Sequence, residues 1–168
     1  MKQSILLGDI KDEFIVNESL SDIFKNTVKT YPNKLAVVFN EKKITYKELD
    51  QWSDEIASSL IKDGINIGDC IGLWYHRSIE LHVAVLAITK AGATYIPIDV
   101  DMPIDRVENI YNDISFKAIF TEKQITFNCK IYKVTEFKNK ENPILPQKPK
   151  PSNFAYILYT SGSTGKPK

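Results

Sequence analysis

Between residues 70 and 121 the sequence alternates between short apolar runs and longer segments of helical periodicity. The apolar runs, each of strand length, are CIGLWY (70–75), TYIPI (94–98) and KAIFT (117–121). Ser78 precedes the first helical segment, which runs to about Ala91 with Gly92 behind it, and Pro103 opens the second. Strand–helix–strand units this short fold as parallel strands joined by right-handed crossover helices. The pattern therefore predicts an α/β fold with a parallel sheet.

Further predicted elements flank this unit on both sides. Before it, apolar spacing predicts a helix over about 19–31, LAVVF (35–39) begins a hairpin, and Thr45 and Glu48 have the spacing of a capping box. After it, KIYKV (130–134) and FAYILYT (154–160) are predicted strands. The lysine- and proline-rich stretch between them is predicted to be a solvated connection, with a PxxP ligand for an SH3-like domain as the alternative.

The composition is that of a folded globule without an electrostatic footprint for nucleic acid. Hydrophobic residues make up 43% of the 168 residues, and the formal net charge is +1 with both signs interspersed. The longest apolar run, Val83 to Ile88, is too short to span a bilayer, and the first residues lack the apolar core of a signal peptide. We therefore expect a cytoplasmic protein with no nucleic-acid or membrane partner, in which Cys70 and Cys129 are small buried residues.

The last ten residues, YTSGSTGKPK (159–168), concentrate groups that bind anions. They include four hydroxyl side chains, two glycines and two lysines: Thr160, Ser161, Ser163, Thr164, Gly162, Gly165, Lys166 and Lys168. Glycines let the backbone approach an anion closely, and successive amides can form a concave nest for phosphate oxygens. Open α/β sheets bind ligands at the carboxyl ends of their parallel strands, which is where this segment is predicted to begin. The segment therefore predicts a phosphate-binding loop.

Three named motifs do not account for this loop. A Walker A loop needs four residues between its glycines and a hydroxyl residue after the lysine, whereas two residues separate Gly162 from Gly165 and Pro167 follows Lys166. The GxGxxG fingerprint also fails. STGK (163–166) has the SxxK spacing of serine β-lactamases, but no SDN or KTG segment accompanies it. We therefore interpret the segment as a phosphate-binding loop and do not expect covalent catalysis by a serine.

Three segments, in order, resemble the adenylate-forming enzymes, a superfamily of acyl-CoA synthetases, luciferases and the amino-acid adenylation domains of nonribosomal peptide synthetases. YILYTSGSTGKPK (156–168) resembles their phosphate-loop signature, and ITYKELDQWSDEIASSL (44–60) resembles their LTYxEL segment. KAGATYIPIDVDMPIDRV (90–107) resembles the KAGxAYxPID segment typical of domains that activate amino acids. Val100 and Met102 depart from this pattern, because such domains commonly have proline and tyrosine there.

The resemblance implies that a substrate carboxylate, most simply that of an amino acid, attacks the α-phosphate of ATP to give an acyl-adenylate and pyrophosphate. The residues expected to bind the β- and γ-phosphates are Thr160, Ser161, Gly162, Ser163, Thr164, Gly165, Lys166 and Lys168. Of these, Lys168 and Thr164 are the expected catalytic residues. The resemblance further implies Mg²⁺, with ligands beyond this chain, and transfer of the acyl group to the phosphopantetheine thiol of a peptidyl carrier protein or domain.

The resemblance also implies an incomplete enzyme. Residues 1–17 are expected to be a lead-in, and residues 18–168 the N-terminal part of an adenylation domain, inactive by itself. Segments that bind adenine, line the acyl pocket and hold magnesium are expected in the rest of a longer protein. Two alternatives stay open at this point: an acyl- or aryl-CoA synthetase, and a noncatalytic fragment that only binds a partner.

Other residues that could carry chemistry have simpler explanations. His76 and His82 are six residues apart around a helix start and do not share a helical face, so a metal pair is not expected. Asp99, Asp101 and Asp105 fit a polar strand end and a helix N-terminus, which favours negative charge. We therefore expect no metal ligand among these residues.

Overall fold

The computed structural model describes residues 17–137 and 148–159, and these form the predicted α/β fold. The elements in chain order are α1 Leu20–Thr30, β1 Leu35–Phe39, β2 Lys42–Thr45, α2 Tyr46–Lys62, β3 Cys70–Trp74, α3 Ile79–Lys90, β4 Thr94–Pro97, α4 Ile104–Ile114, β5 Ala118–Thr121 and β6 Lys130–Tyr132. A short 3₁₀ helix, Val134–Phe137, follows β6.

The main sheet has four parallel strands in the order β4-β3-β5-β6. β3 is therefore interior, with β4 on one side and β5 on the other. β1 and β2 form a separate antiparallel hairpin that turns at Asn40, whose φ is 54°. Asparagine tolerates this left-handed conformation better than most residues, and the hairpin prediction is confirmed.

A hydroxyl side chain caps the N-terminus of three helices, α1, α2 and α3. Thr45 and Glu48 form the predicted capping box of α2, because the Thr45 hydroxyl accepts from the Glu48 amide and the Glu48 carboxylate accepts from the Thr45 amide. Ser19 starts α1 in the same way, and Ser78 caps α3 by accepting from the Leu81 amide. Each cap satisfies backbone amides that have no partner within the helix, a gain of about 1 kcal/mol.

Alternating residues of the strands face two cores. On β3, Ile71 and Leu73 face the core built with α2 and α3, whereas Trp74 faces the core built with α4. β3 and β5 therefore have helices on both faces and are almost wholly buried, which explains their continuous apolar sequences. Gly72 lies where the α4 side approaches closely, since a Cβ there would come within 2.9 Å of side-chain atoms of Ile119 and Phe116.

The prediction of a full strand over residues 154–160 is wrong for residues 154–159, which are the part of this range that the structure describes. Among the residues described, only Tyr156 pairs with the sheet, in a single parallel bridge to Tyr95 of β4. Ile157 packs against the core on the α4 side, but Phe154 is 77% exposed and Leu158 is 58% exposed, so none of the described residues covers the side of the segment that carries these two side chains. Within the described residues, pairing on this side of the segment therefore buries little apolar surface.

Two smaller corrections concern the stretch after β5. KIYKV (130–134) ends as a strand at Tyr132, and the backbone then enters the 3₁₀ helix, in which Val134 and Phe137 are buried. The predicted connection therefore starts later than expected; its residues 138–147, which hold Pro143 and Pro146, lie outside the described residues. In the ranges that the structure describes, no helix has the length and apolar character needed to cross a membrane.

Candidate functional site

The carboxyl ends of β3, β4 and β5 meet at one edge of the sheet. From β3 the chain proceeds through α3 to β4 on one side, whereas from β5 it proceeds to β6 on the other side. The connections diverge between β3 and β5, and a crevice outside the carboxyl ends of such strands is the usual ligand position in open α/β sheets. A cavity of about 390 Å³ lies there.

Aromatic and aliphatic side chains form much of this cavity's wall, with charged groups around them. Its lining residues are Trp74, Tyr75, His76, Ser78, Glu80, Val100, Glu122, Lys123 and Thr135. These come from the ends of β3 and β5, the start of α3, the 3₁₀ helix and the β4–α4 loop (residues 98–103). The volume falls within the range of small-molecule sites, about 300–1,000 Å³.

Two side chains attach the β4–α4 loop to the neighbouring strands. The Trp74 indole Nε1 donates to the carbonyl oxygen of Asp99 at 2.9 Å, and the Lys123 ammonium donates to the carbonyl oxygen of Val100 at 2.6 Å. Lys123 Nζ also lies 4.1 Å from the centre of the Trp74 ring, a cation–π distance. Within the loop, the Asp101 amide donates to the Asp99 carboxylate at 2.9 Å.

A tyrosine–carboxylate pair joins β3 to β5 at the same edge. The Tyr75 hydroxyl donates to Glu122 Oε1 at 2.6 Å and accepts from the Val134 amide at 3.1 Å. Burial of the phenol, followed by its hydrogen bond to the Glu122 carboxylate, raises the pKa of Tyr75 far above its ordinary value of 10.0. The hydroxyl is therefore a stable neutral donor at physiological pH, and not a base.

All eight residues of the predicted phosphate loop, 160–168 without Pro167, lie outside the described residues. The segment that leads to the loop is described. The Tyr95 amide donates to the Ala155 carbonyl at 3.0 Å, and the Ile157 amide donates to the Tyr95 carbonyl at 3.1 Å, so this segment runs parallel to β4. The Tyr159 hydroxyl donates to the carboxylate of Asp113, in the last turn of α4.

The structure also locates the residues given simpler explanations above. His82 Nδ1 is hydrogen bonded to the Ser78 carbonyl one turn earlier, at 2.8 Å, and His76 is exposed. Asp105 lies in the first turn of α4, as the helix N-terminus explanation requires. Cys70 and Cys129 are free and partly buried, so the expectation of small buried residues is met in part; burial raises the pKa of both thiols.

A buried lysine that the sequence patterns did not single out connects the first three helices. Lys90, within the KAG segment, is only 2% exposed. Its ammonium lies 2.6 Å from Asp50 Oδ1, 2.7 Å from Asp54 Oδ1 and 2.8 Å from Ser53 Oγ, and the Asp54 contact is an ion pair without hydrogen-bond geometry. Lys25 of α1 reaches the other oxygen of Asp54 at 2.8 Å.

The sequence contained one signal for this cluster. Asp50 and Asp54 are four residues apart and therefore share one face of α2, and they lie beside the buried residue Ser53. Only the packing of α3 against α2 shows that Lys90 lies opposite that face. The contacts of the lysine in the KAG segment thus join α3 to α2.

Comparisons with known proteins agree with this fold. The profile of the AMP-binding enzyme family matches residues 24–168. The chain therefore belongs to the AMP-binding enzyme family. The Delta-poly-L-ornithine synthetase of Acinetobacter baumannii is 36% identical over 172 residues, which include 99% of this chain and 13% of that protein.

Two solved structures show the same architecture. The N-terminal subdomain of Klebsiella oxytoca NpsA, in complex with 3-hydroxyanthranilyl-AMSN, is 25% identical with a TM-score of 0.79, over 91% of this chain and 39% of that one. FmoA3, a nonribosomal peptide synthetase in its AMPPNP-bound form, is 26% identical with a TM-score of 0.81, over 86% of this chain and 16% of that one. The chain thus corresponds to a minor part of each, within the N-terminal subdomain of NpsA.

Proposed function

We propose that residues 18–168 are the N-terminal part of an adenylation domain that activates an amino acid with ATP, releasing pyrophosphate, and that residues 1–17 are a lead-in. The observation that carries the proposal is the family match, which extends through the predicted phosphate loop to residue 168. The other two sequence segments support it, and so do relatives and solved structures of the peptide-synthetase type.

In this proposal the chain's contribution to the reaction is to hold the phosphates. Negative charge grows on the leaving pyrophosphate as the carboxylate attacks the α-phosphorus, so donors fixed around the β- and γ-phosphates stabilise the transition state. Thr160, Ser161, Ser163 and Thr164 supply hydroxyl donors, Lys166 and Lys168 supply positive charge, and Gly162 and Gly165 let the backbone amides approach. Bound Mg²⁺ would neutralise further phosphate charge, through ligands outside this chain.

The amino-acid substrate and the carrier are the finer parts of the proposal. KAGATYIPID (90–99) is typical of domains that activate amino acids, and the name of the Acinetobacter relative includes ornithine. The acceptor proposed for the second step is the phosphopantetheine thiol of a peptidyl carrier protein or domain, in the cytoplasm. An aryl acid is a second candidate, because the NpsA subdomain was solved with a 3-hydroxyanthranilyl compound.

The test is exchange of labelled pyrophosphate into ATP by the complete protein that contains this chain. Panels of amino acids, aryl acids and fatty acids are compared, the last with coenzyme A. We expect exchange that depends on one or a few amino acids, and none from the isolated 168 residues, because the proposal assigns the groups that position adenine and the acyl chain to the rest of a longer protein. Exchange with aryl acids only would support the second candidate, and turnover of fatty acids with coenzyme A would exclude both.

The proposed role of Lys168 has its own test. Lys168→Ala should lower kcat for exchange by about a hundredfold, the usual cost of removing one preorganised donor from a transition state. Amino-acid binding should change little, because the proposed contact is to pyrophosphate. Lys150→Ala, which removes an exposed lysine in the described part of the proline-rich connection, is the matched control. Weaker amino-acid binding with normal kcat would place Lys168 away from the phosphates.

A further inference from the structure

The β4–α4 loop is held from two sides by groups that belong to different strands. Trp74 holds the Asp99 carbonyl from β3, and Lys123 holds the Val100 carbonyl from the end of β5. Trp74 is 3% exposed and packed against the α4 side, so its donor is fixed by the core. The two carbonyls are adjacent in the chain, and together the bonds fix the start of the loop.

Lys123 makes two well-defined contacts although it is an exposed residue. Exposed lysines usually remain fully hydrated, because ordering the long side chain costs up to about 2 kcal/mol of conformational entropy. Here one ammonium makes both a short hydrogen bond to Val100 and a cation–π contact with Trp74. The combined contacts offset that entropy and link β5, β3 and the loop after β4 at one point.

We propose that Trp74 and Lys123 are positioning residues for adenylation, which fix the β4–α4 loop at the edge of the sheet where the proposed function puts the substrate phosphates. The inference rests on the proposed function. It is supported by the place of the loop at the carboxyl end of β4, the strand that pairs in parallel with the segment leading to the predicted phosphate loop. Ligands of open α/β sheets bind at this edge, where a misplacement of about 1 Å can lower the rate a hundredfold.

The test uses the complete protein and single changes that remove one donor each. Lys123→Met keeps the length of the side chain and its packing on Trp74, but it cannot donate to Val100. Lys123→Arg keeps a donor and a cation. Lys117→Met is the matched control, because this exposed lysine immediately precedes β5 at the opposite edge of the sheet. Trp74→Phe keeps an aromatic ring in the core and removes the indole donor to Asp99; because it also reduces the buried volume, its folded fraction is measured alongside by urea unfolding.

We expect Lys123→Met to lower kcat/KM for ATP about tenfold with a raised KM for ATP, while the KM for the amino acid stays unchanged. Lys123→Arg should recover most of the loss, and Lys117→Met should match the wild type. Trp74→Phe should act in the same direction, and the double variant should lose less than the product of the two effects, because both donors hold one loop.

Three results would count against the inference. An unchanged kcat/KM for ATP in Lys123→Met overturns it while leaving the proposed function intact. A fall in kcat with both KM values unchanged and no recovery by arginine indicates only a smaller folded fraction, and also overturns it. If none of the carboxylic acids tested supports pyrophosphate exchange by the wild-type protein, the proposed function fails and this inference fails with it.

Discussion

Replacing Lys90 by methionine should destabilise the chain more than any exposed charge change. Methionine keeps most of the aliphatic stem, so the change removes the charge and its donors without opening a large cavity. Four oxygen atoms lie within 3.0 Å of the ammonium: two from the side chains of Asp50 and Asp54, one from Ser53 and one from the Asp50 backbone. The variant leaves two carboxylates beside each other without their buried partner.

The expected magnitude follows from burial. The side chains of Asp50 and Asp54 are 17% and 14% exposed, and that of Lys90 is 1% exposed. Removing one partner from such a buried group costs about 3–5 kcal/mol, because uncompensated charge stays behind. Lys25 pairs with the same Asp54 but its side chain is 40% exposed, so Lys25→Met should cost about 1 kcal/mol or less. The two lysines therefore form a matched comparison with a shared acid.

Urea unfolding of the purified protein, followed by tryptophan fluorescence, measures both changes. A loss of 3–5 kcal/mol corresponds to a melting temperature lower by roughly 6–20 °C for a chain of this size. Adding Asp54→Asn to Lys90→Met should recover part of the loss, since it removes one of the stranded charges. Equal effects of Lys25→Met and Lys90→Met, or no recovery in the double variant, would refute the claim that burial sets the energy of this cluster.

Two further predictions concern the sheet and its tyrosines. Gly72→Ala should destabilise the chain by about 1–3 kcal/mol, because the added Cβ would lie 2.9 Å from Ile119 and Phe116; an unchanged melting temperature would show that these side chains can move aside. Stability should also fall as the pH rises above about 10. Burial, and then a hydrogen bond to Glu122 or Asp63, raises the pKa of Tyr75 and of Tyr132 in the folded state. The two protonated tyrosines therefore contribute their full stability below the pKa of tyrosine in the unfolded chain. This contribution is lost as the pH rises towards the pKa of the folded state. Urea midpoints at pH 8 and 11 measure this loss, and replacing both tyrosines by phenylalanine should reduce it.

Elements that depend on local patterns were predictable from the sequence. The capping box at Thr45 and Glu48 needs only two residues at the right spacing, and each satisfies the other's amide within one helical turn. The strands CIGLW and AIFT were predictable because both of their faces are buried, which makes every residue apolar or small. Both patterns involve residues close together in the sequence, so they can be recognised without knowing the tertiary structure.

Features that depend on partners distant in the chain were not predictable. Nothing near Lys90 in the sequence distinguishes it from an exposed lysine at a helix end, since its acids are about forty residues away on α2. The failed strand over 154–160 has the same origin. Its sequence has strand composition throughout, but pairing depends on what covers Phe154 and Leu158, and within the described residues that side of the segment is exposed. The phosphate loop itself lies outside the described residues, so its eight residues remain predictions.

The order of the strands connects the two parts of the candidate site. After α3 and β4 the chain returns across the sheet, and β5 pairs with β3 instead of continuing beyond β4. Because crossovers are right-handed, this reversal of direction requires α4 to lie on the opposite face from α3, as the two cores show. The reversal brings the end of β5 beside β3, where Lys123 meets Trp74 and the crevice forms. It also leaves the outer edge of β4 free to pair with Tyr156. The strand order therefore accounts both for the contacts of Trp74 and Lys123 with the β4–α4 loop and for the position of the segment before the predicted phosphate loop.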